Sequence, residues 1–462
     1  MQEMEKANAF KLQFIGGAGT VTGSKTLLST KEKNVLIDCG LFQGLKELRN
    51  LNWEDFPVDP KSIDSIILTH AHLDHCGYIP VLVKNGFNGP IYCTPATAEL
   101  TEIILLDSAK IQEEDAERAK SHHYSGHLNC KPLYTVDEAK KCFGLFNTHE
   151  YNEWVLIDHH IKFSFHNAGH ILGSAMIELK VEDKVIVFTG DIGRKKPMLL
   201  YPPSKIKEAD YVVLESTYGD RTHETENVKR SLKEIIDETY NRGGILMIPS
   251  FAVERTQELI YLIWQLKEEN ELPNIPVYLD SPMGVKSSLV FDRYPEIQNL
   301  PKFVADHMFG AVKYISGYEE SKAVVADRKP KIILAGSGML EGGRILHYLN
   351  NHGENSKNTL LFVGYQAVGT RGRDLQNGTK MVKFFGQYRP INCEIRSISS
   401  MSAHGDREEM IDWLKNFKKE PTTIFLNHGE PHQTNAFRVM IETELGWNVE
   451  IPKLNEIIEI EE

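Results

Sequence analysis

Short apolar runs with alternating polar positions dominate the chain up to Thr189. Ala9–Ile15, Val21–Ser29 and Asn34–Asp38 predict a β-meander turned at Gly16-Gly17 and Lys31–Lys33. Ser65–Thr69 and Pro90–Thr94 read as short buried strands, and Pro95, pre-set for a first helical turn, opens a helix that runs past Ile111. Ile161–Phe165, Ala175–Lys180 and Lys184–Thr189 are strands again, followed by Tyr211–Leu214. Beyond Tyr218 the period changes. Helical and strand patterns then alternate: Val228–Tyr240, Ile245–Pro249, Thr256–Glu268, Val277–Leu279, Lys331–Ala335, a helix near Arg344–Asn350, and Leu360–Gly364. This rhythm predicts a parallel sheet flanked by helices, and therefore a second domain. Single strands return at Cys393–Ser399 and Thr422–Leu426.

Composition adds class and compartment. At 462 residues, with 41% hydrophobic and 25% charged positions, the chain is an ordinary globular protein long enough for two domains. No run approaches the ~18 apolar residues of a membrane span, and Met1 to Phe10 carry no apolar segment, so no membrane association is expected and a cytoplasmic location is the default expectation. The six cysteines (Cys39, Cys76, Cys93, Cys130, Cys142, Cys393) lack paired spacings and read as reduced thiols. A net charge of −12 excludes a uniformly basic surface. Between Thr370 and Arg396, however, Arg371, Arg373, Lys380, Lys383, Arg389 and Arg396 face only Asp374 and Glu394, a local excess compatible with a polyanionic substrate.

The strongest chemical signal is His70-Ala71-His72-Leu73-Asp74-His75, directly after the strand Ser65–Thr69. Four metal-capable side chains at one strand end suit Zn²⁺ before Fe or Mn. His170 after Gly169, Asp191 after Gly190, and His428 before Gly429 recur in the same setting, at carboxyl ends of predicted strands. Strand ends gathered along one sheet edge are a common place for a site.

The set Asp38, His70–His75, His170 and Asp191 resembles the metallo-β-lactamase superfamily, and Glu215, His404 and His428 resemble its β-CASP branch of nucleic-acid-processing nucleases. The resemblance implies an α/β fold, an αββα sandwich carrying an inserted parallel α/β (β-CASP) domain. The expected segments are residues 1–215 and 389–462 for the sandwich and 216–388 for the insert. Seven candidate ligands (His70, His72, Asp74, His75, His170, Asp191, His428) exceed one tetrahedral zinc but fill two if one carboxylate bridges. By resemblance, the first of two Zn²⁺ takes His70, His72 and His170. The second takes Asp74, His75 and His428, while Asp191 bridges. Asp38 then stands behind a ligating imidazole and fixes its tautomer and tilt.

Two metals about 3.5–4 Å apart can activate water and clamp both oxygens of an in-line phosphoryl displacement. His404, spare once both metals are filled, is suited to protonate a departing alkoxide, and Glu215 can hold and charge that imidazole. Gly336-Ser337-Gly338-Met339 with Arg344 follows a strand, precedes a helix, and resembles a phosphate-binding turn of the β-CASP insert. Thr370, Arg371 and Arg373 follow the next strand, and Ser402 matches a further contact near the scissile phosphate in similar enzymes.

A histidine at the place of His428 is typical of RNA-directed members of the branch, so the resemblance implies an RNA endonuclease with 5′ exonuclease ability. The short segments before the motifs and after His428 are expected to leave no room for KH domains or for the extra C-terminal domain of ribonuclease J. The expectation is thus a compact bacterial relative of the cleavage and polyadenylation nuclease, and, as similar proteins are often dimers, a homodimer. Two other readings stay open: a hydrolase of a small ester, thioester or lactam, and a non-catalytic RNA-binding scaffold.

Overall fold

The computed structural model describes residues 10–122, 131–224, 226–315, 317–364, 366 and 369–460. These form two units, one within Met1–Pro197, Tyr201–Thr222 and His404–Glu462, the other within Met198–Leu200 and His223–Ala403. Among the described residues no helix is long and apolar enough to cross a membrane.

The first unit stacks two seven-stranded sheets. In Phe10–Gly16 the buried Phe10, Leu12 and Phe14 alternate with the exposed Lys11 and half-buried Gln13, so period-two patterning commits one face to the interior. This strand pairs antiparallel with Lys25–Ser29 and with Ile457–Ile460. Asn34–Ile37, Ser65–Ile67, Ile91–Cys93 and Phe146–Thr148 complete the sheet, the last three added in parallel. The second sheet runs Val449–Glu450, Thr423–Asn427, Tyr211–Glu215, Lys184–Phe188, Ala175–Val181, Ile161–Asn167 and Trp154–Leu156. Leu12, Phe14, Ile37 and Ile67 meet Phe163, Ile177, Val213 and Phe425 between the sheets. The opposite face of the second sheet buries Met176, Val187 and Leu214 under Met410, Trp413, Phe437 and Ile441, on the helices Arg407–Leu414 and Pro431–Glu444. The fold class is α/β as expected, with helices outside paired sheets.

Two registers bring the site together. Ile37 pairs with Ile67, which levels the ends that lead into Asp38 and Thr69. Phe188 pairs with Val213 and Glu215 with Asn427, which levels the ends that lead into Asp191, Glu215 and His428.

The strand expected from Val21 begins only at Lys25. Gly23 has φ +73°, the Thr22 hydroxyl donates to Leu41 O, and Ser24 N–H donates to Asp74 O at 2.8 Å, so this stretch is a loop bracing the metal motif.

The second unit is a six-stranded parallel sheet in the order Lys313–Tyr314, Val277–Asp280, Ile332–Ala335, Leu246–Pro249, Thr359–Val363, Glu394–Ile398. Its extent departs from the expected insert of 216–388. Glu394–Ile398 pairs with Thr359–Val363 and keeps the chain in this sheet, so the unit runs on to Ala403. At its start, Ser216 stays with the first unit because its hydroxyl donates to Asn427 O and its N–H to His428 O. Cys39, Cys76, Cys93, Cys142 and Cys393 are free and buried, whereas Cys130 lies outside the described residues.

Candidate metal centre

The chain leaves Asn34–Ile37 at Asp38, whose φ of +58° turns it under the motif. The Asp38 carboxylate accepts Thr69 N–H at 2.8 Å and the Thr69 hydroxyl at 2.9 Å, and its Oδ2 lies 2.7 Å from His75 Nδ1. Thr69 Oγ1 is also 3.0 Å from His70 Nδ1. One hydroxyl proton given to Asp38 leaves the Thr69 oxygen to accept His70 Nδ1–H, while His75 Nδ1–H goes to Asp38 directly. Both imidazoles thereby turn Nε2 inward, where a neutral ring presents its lone pair. Gly40 makes this crossing tight, since a Cβ there would stand 1.6 Å from Asp74 O.

Two donor groups converge. His70 Nε2, His72 Nδ1 and His170 Nε2 form the first, with 3.1 Å between His70 and His72 and 3.1 Å between His72 and His170. His75 Nε2, His428 Nε2 and Asp74 Oδ2 form the second, at 3.3 Å and 3.5 Å about His428. Asp191 stands between them. Its Oδ2 is 3.4 Å from both His70 Nε2 and His170 Nε2, and its Oδ1 is 3.2 Å from His75 Nε2 and 3.3 Å from His428 Nδ1. All seven are within donor groups whose ligand atoms lie within 4.8 Å of one another.

These side chains fit divalent metals on three counts. Imidazole nitrogens this close either share a proton or direct lone pairs at a common cation, and the distances match the latter, since a tetrahedron of ~2.0–2.1 Å Zn–N bonds has edges of about 3.3–3.4 Å. Burial pushes His70 down to about 3, His72 to about 4 and His170 well below its ordinary value, which keeps the ligating form. Burial opposes ionisation of Asp191, but the imidazoles of His75, His428 and His70 hold its carboxyl well below the usual range. Asp191 Oδ1 is buried, and among the described residues it meets only the imidazole nitrogens of His75 and His428 with no well-formed hydrogen bond. Cys76 is no donor here: its buried thiol gives its proton to Ala71 O at 3.2 Å.

His404 lies beside the ligands. Its Nδ1 is 3.0 Å from both Glu215 oxygens, its Nε2 is 4.0 Å from Asp191 Oδ2, and its ring centroid is 4.5 Å from that of His170. Burial lowers its basicity, but the charges of Glu215 and Asp191 outweigh this and raise it to about 9. Glu215 Oε1 also accepts Ile192 N–H at 2.7 Å, which locks the carboxylate in place.

The remaining candidates lie in the second unit. The Ser337 hydroxyl accepts Glu341 N–H, Gly338 O accepts the Gln366 amide, and Arg371 Nη1 donates to Leu340 O, so the two expected phosphate segments do meet. Arg344 is paired with the fully buried Asp280, and Arg371 also spans to Lys383 O. Thr370 caps Arg373 N–H, and Ser402 is buried. Arg344 and Arg371 thus serve packing as well as any ligand.

Thr69 escaped the reading of the sequence, where a threonine at a strand end is unremarkable. Thr69→Val preserves shape and removes the hydroxyl relay. Metal affinity is expected to fall by roughly 10–100-fold, as for other outer partners of ligating histidines, and Thr69→Ser should restore it. Competition with a chromogenic chelator measures this, and an unchanged affinity in Thr69→Val would dismiss the relay.

Three family descriptions match the chain: the metallo-β-lactamase superfamily over residues 19–241, the Beta-Casp domain over 256–375, and the Zn-dependent metallo-hydrolase RNA specificity domain over 388–452. A ribonuclease of Thermus thermophilus is 36% identical over 91% of this chain and 93% of its own length. An RNase J-like protein of Methanocaldococcus jannaschii is 34% identical over 93% of this chain and 95% of its own. A transcription termination factor of Methanosarcina mazei is 34% identical over 90% of this chain and 66% of its own. A crystal structure of a protein of unknown function from Enterococcus faecalis matches with a TM-score of 0.53 at 12% identity, covering 98% of this chain and all of that one, a likeness of fold.

Proposed function

Because the chain belongs to the β-CASP branch of the metallo-β-lactamase superfamily and is a metal-dependent hydrolase, we propose that it cleaves RNA phosphodiester bonds endonucleolytically with two zinc ions. The observation that carries this reading is the pairing of a complete double donor set with an imidazole, His404, that neither group needs. When bound, two divalent ions activate water near neutral pH and neutralise charge on the phosphate in an in-line displacement. The His-rich, carboxylate-bridged donors favour zinc over magnesium or calcium.

The chain's own residues do the rest. Asp191 ties both donor groups to one carboxylate, and Asp38 with Thr69 keeps His70 and His75 in a single tautomer. His404 donates its Nδ1 proton as a hydrogen bond to Glu215, which leaves Nε2–H as the proton delivered to the departing oxygen. Glu215 stabilises the charged ring and is itself fixed by Ile192 N–H. A thioester or lactam hydrolase has no departing alkoxide to protonate, and a scaffold has no need for either device.

Incubation of the zinc-loaded chain with 5′-labelled linear and circular RNAs tests the reading. Cutting of the circle is expected, with binding that weakens steeply with salt as phosphates are neutralised, log K falling by ~0.7 per contact for single strands. An intact circle with shortened 5′ ends would replace endonuclease by exonuclease action. Turnover of a thioester with no RNA cleavage would overturn the ribonuclease reading. Sedimentation of the same preparation tests the homodimer, and metal analysis the expected two zinc ions per chain.

A further inference from the structure

The hairpin Met381–Phe384 and Gln387–Pro390 in the second unit forms a two-stranded sheet of its own. Lys383 faces Tyr388 across it, and Val382 faces Arg389. Alternation sends Val382 and Phe384 into the core with Tyr348 and Leu375. The opposite face keeps Met381 48% and Tyr388 66% exposed beside Lys383. Phe385-Gly386 forms the two-residue turn, with φ of +50° and +76°. Such a turn favours asparagine or glycine, and a bulky side chain at positive φ is sterically disfavoured. Phe385 gains little burial in exchange, for it stays 48% exposed, its ring 4.9 Å from the His347 imidazole and within 34° of parallel.

Charge gives this face a direction. From Leu375 to Cys393 the chain holds Lys380, Lys383 and Arg389 and no acidic residue, in a protein of net charge −12. Lys380 and Lys383 are exposed, and among the described residues neither they nor Arg389 forms an ion pair. Arg389 Nε is buried without a hydrogen-bond partner among the described residues. Arg371 joins the hairpin to the glycine-rich turn, through Nε to Lys383 O and Nη1 to Leu340 O. Trp154 makes the contrast: it is also exposed, with Lys180 at 4.4 Å and Lys162 at 5.2 Å over its ring, but Glu150, Glu153 and Asp158 lie within four residues of it in the chain.

We propose that the exposed turn and outer face of this hairpin are a stacking platform for unpaired RNA bases, formed by Phe385 at the turn and Tyr388 on the face, with Lys383 and the neighbouring exposed Lys380 on the flanking phosphates. The inference rests on the ribonuclease reading. Every base offers a π-face, so such a platform holds single strands without sequence preference, and a duplex, whose bases are stacked inside, gains nothing from it.

The test compares wild type, Phe385→Ala/Tyr388→Ala, Lys380→Ala/Lys383→Ala and Trp154→Ala, all zinc-loaded. The substrate is an unpaired oligouridine of about 20 nucleotides, long enough to reach beyond a stacking site of ~4–16. The aromatic pair is expected to raise KM on the order of 10-fold with kcat unchanged, as loss of base stacking does. Metal content and hydrolysis of bis(p-nitrophenyl) phosphate should stay at wild-type values, because the substituted rings lie on the surface. The lysine pair should reduce the salt slope by about 0.7 per lost phosphate contact, and Trp154→Ala should change nothing. An unchanged KM in the aromatic pair overturns the platform, as does an equal effect of Trp154→Ala. So does a self-association that the aromatic pair abolishes without altering KM, which would assign the face to a second copy. Failure of wild type to cleave the oligouridine at all would instead remove the ribonuclease reading.

Discussion

Asp191→Ala is expected to lose binding of both metals and essentially all hydrolysis while the chain still folds. Its two oxygens approach four imidazoles drawn from both donor groups, so no other single side chain touches as much of the centre. Removing an outer partner of a metal ligand costs roughly 10–100-fold, and removing the carboxylate shared by two groups should exceed that range in both affinity and rate. The fold should persist because Asp191 sits at the end of a strand rather than between the sheets. Metal analysis after gel filtration, circular dichroism and an RNA cleavage assay are the measurements. Two tightly held zinc ions per chain in Asp191→Ala would refute the bridge.

His404→Ala should lower the rate by roughly 10²–10⁴-fold, the usual worth of a positioned proton donor, with both metals retained. The ring holds Glu215 through Nδ1 and keeps Nε2 4.0 Å from Asp191, so it borders the centre without belonging to either donor group. A substrate whose leaving oxygen is replaced by sulfur departs without needing a proton. That substrate should recover much of the loss in His404→Ala and none of it in Asp191→Ala. Glu215→Gln should show a weaker form of the same pattern, because the amide keeps a hydrogen bond and removes the charge. Zinc loss in His404→Ala, or equal damage on both substrates, would make His404 a structural residue.

Much of this was legible in the residues themselves. Alternating or continuous apolar runs marked the central strands of both sheets but not Phe146–Thr148, Trp154–Leu156, Val449–Glu450 or Ile457–Ile460, and the alternation of helix and buried run marked the parallel sheet of the second unit, because each period reports which face of an element meets the core. The cluster His70–His75 declared metal chemistry by itself, since four donors so close together have few other uses. Periodicity carries no information about which strand lies alongside, however. Glu394–Ile398 therefore reads equally well as a strand of either sheet, and only its pairing with Thr359–Val363 decides that the second unit extends to Ala403.

Charge counting has the same limit. Arg344, Arg371 and Arg396 read as cations open to a polyanion, but in the fold Asp280, Glu341 and Glu238 meet them. Among the described residues the hairpin lysines meet no acid, a difference that depends on neighbours remote in the chain. The hydroxyl of Thr69 makes the point most sharply. Its value lies in reaching Asp38, 31 residues away, and His70 beside it at once, and that coincidence exists only when two parallel strand ends are brought level. Residue identity decides which chemistry is available, whereas register and close approach decide which tautomers, charges and distances that chemistry is given.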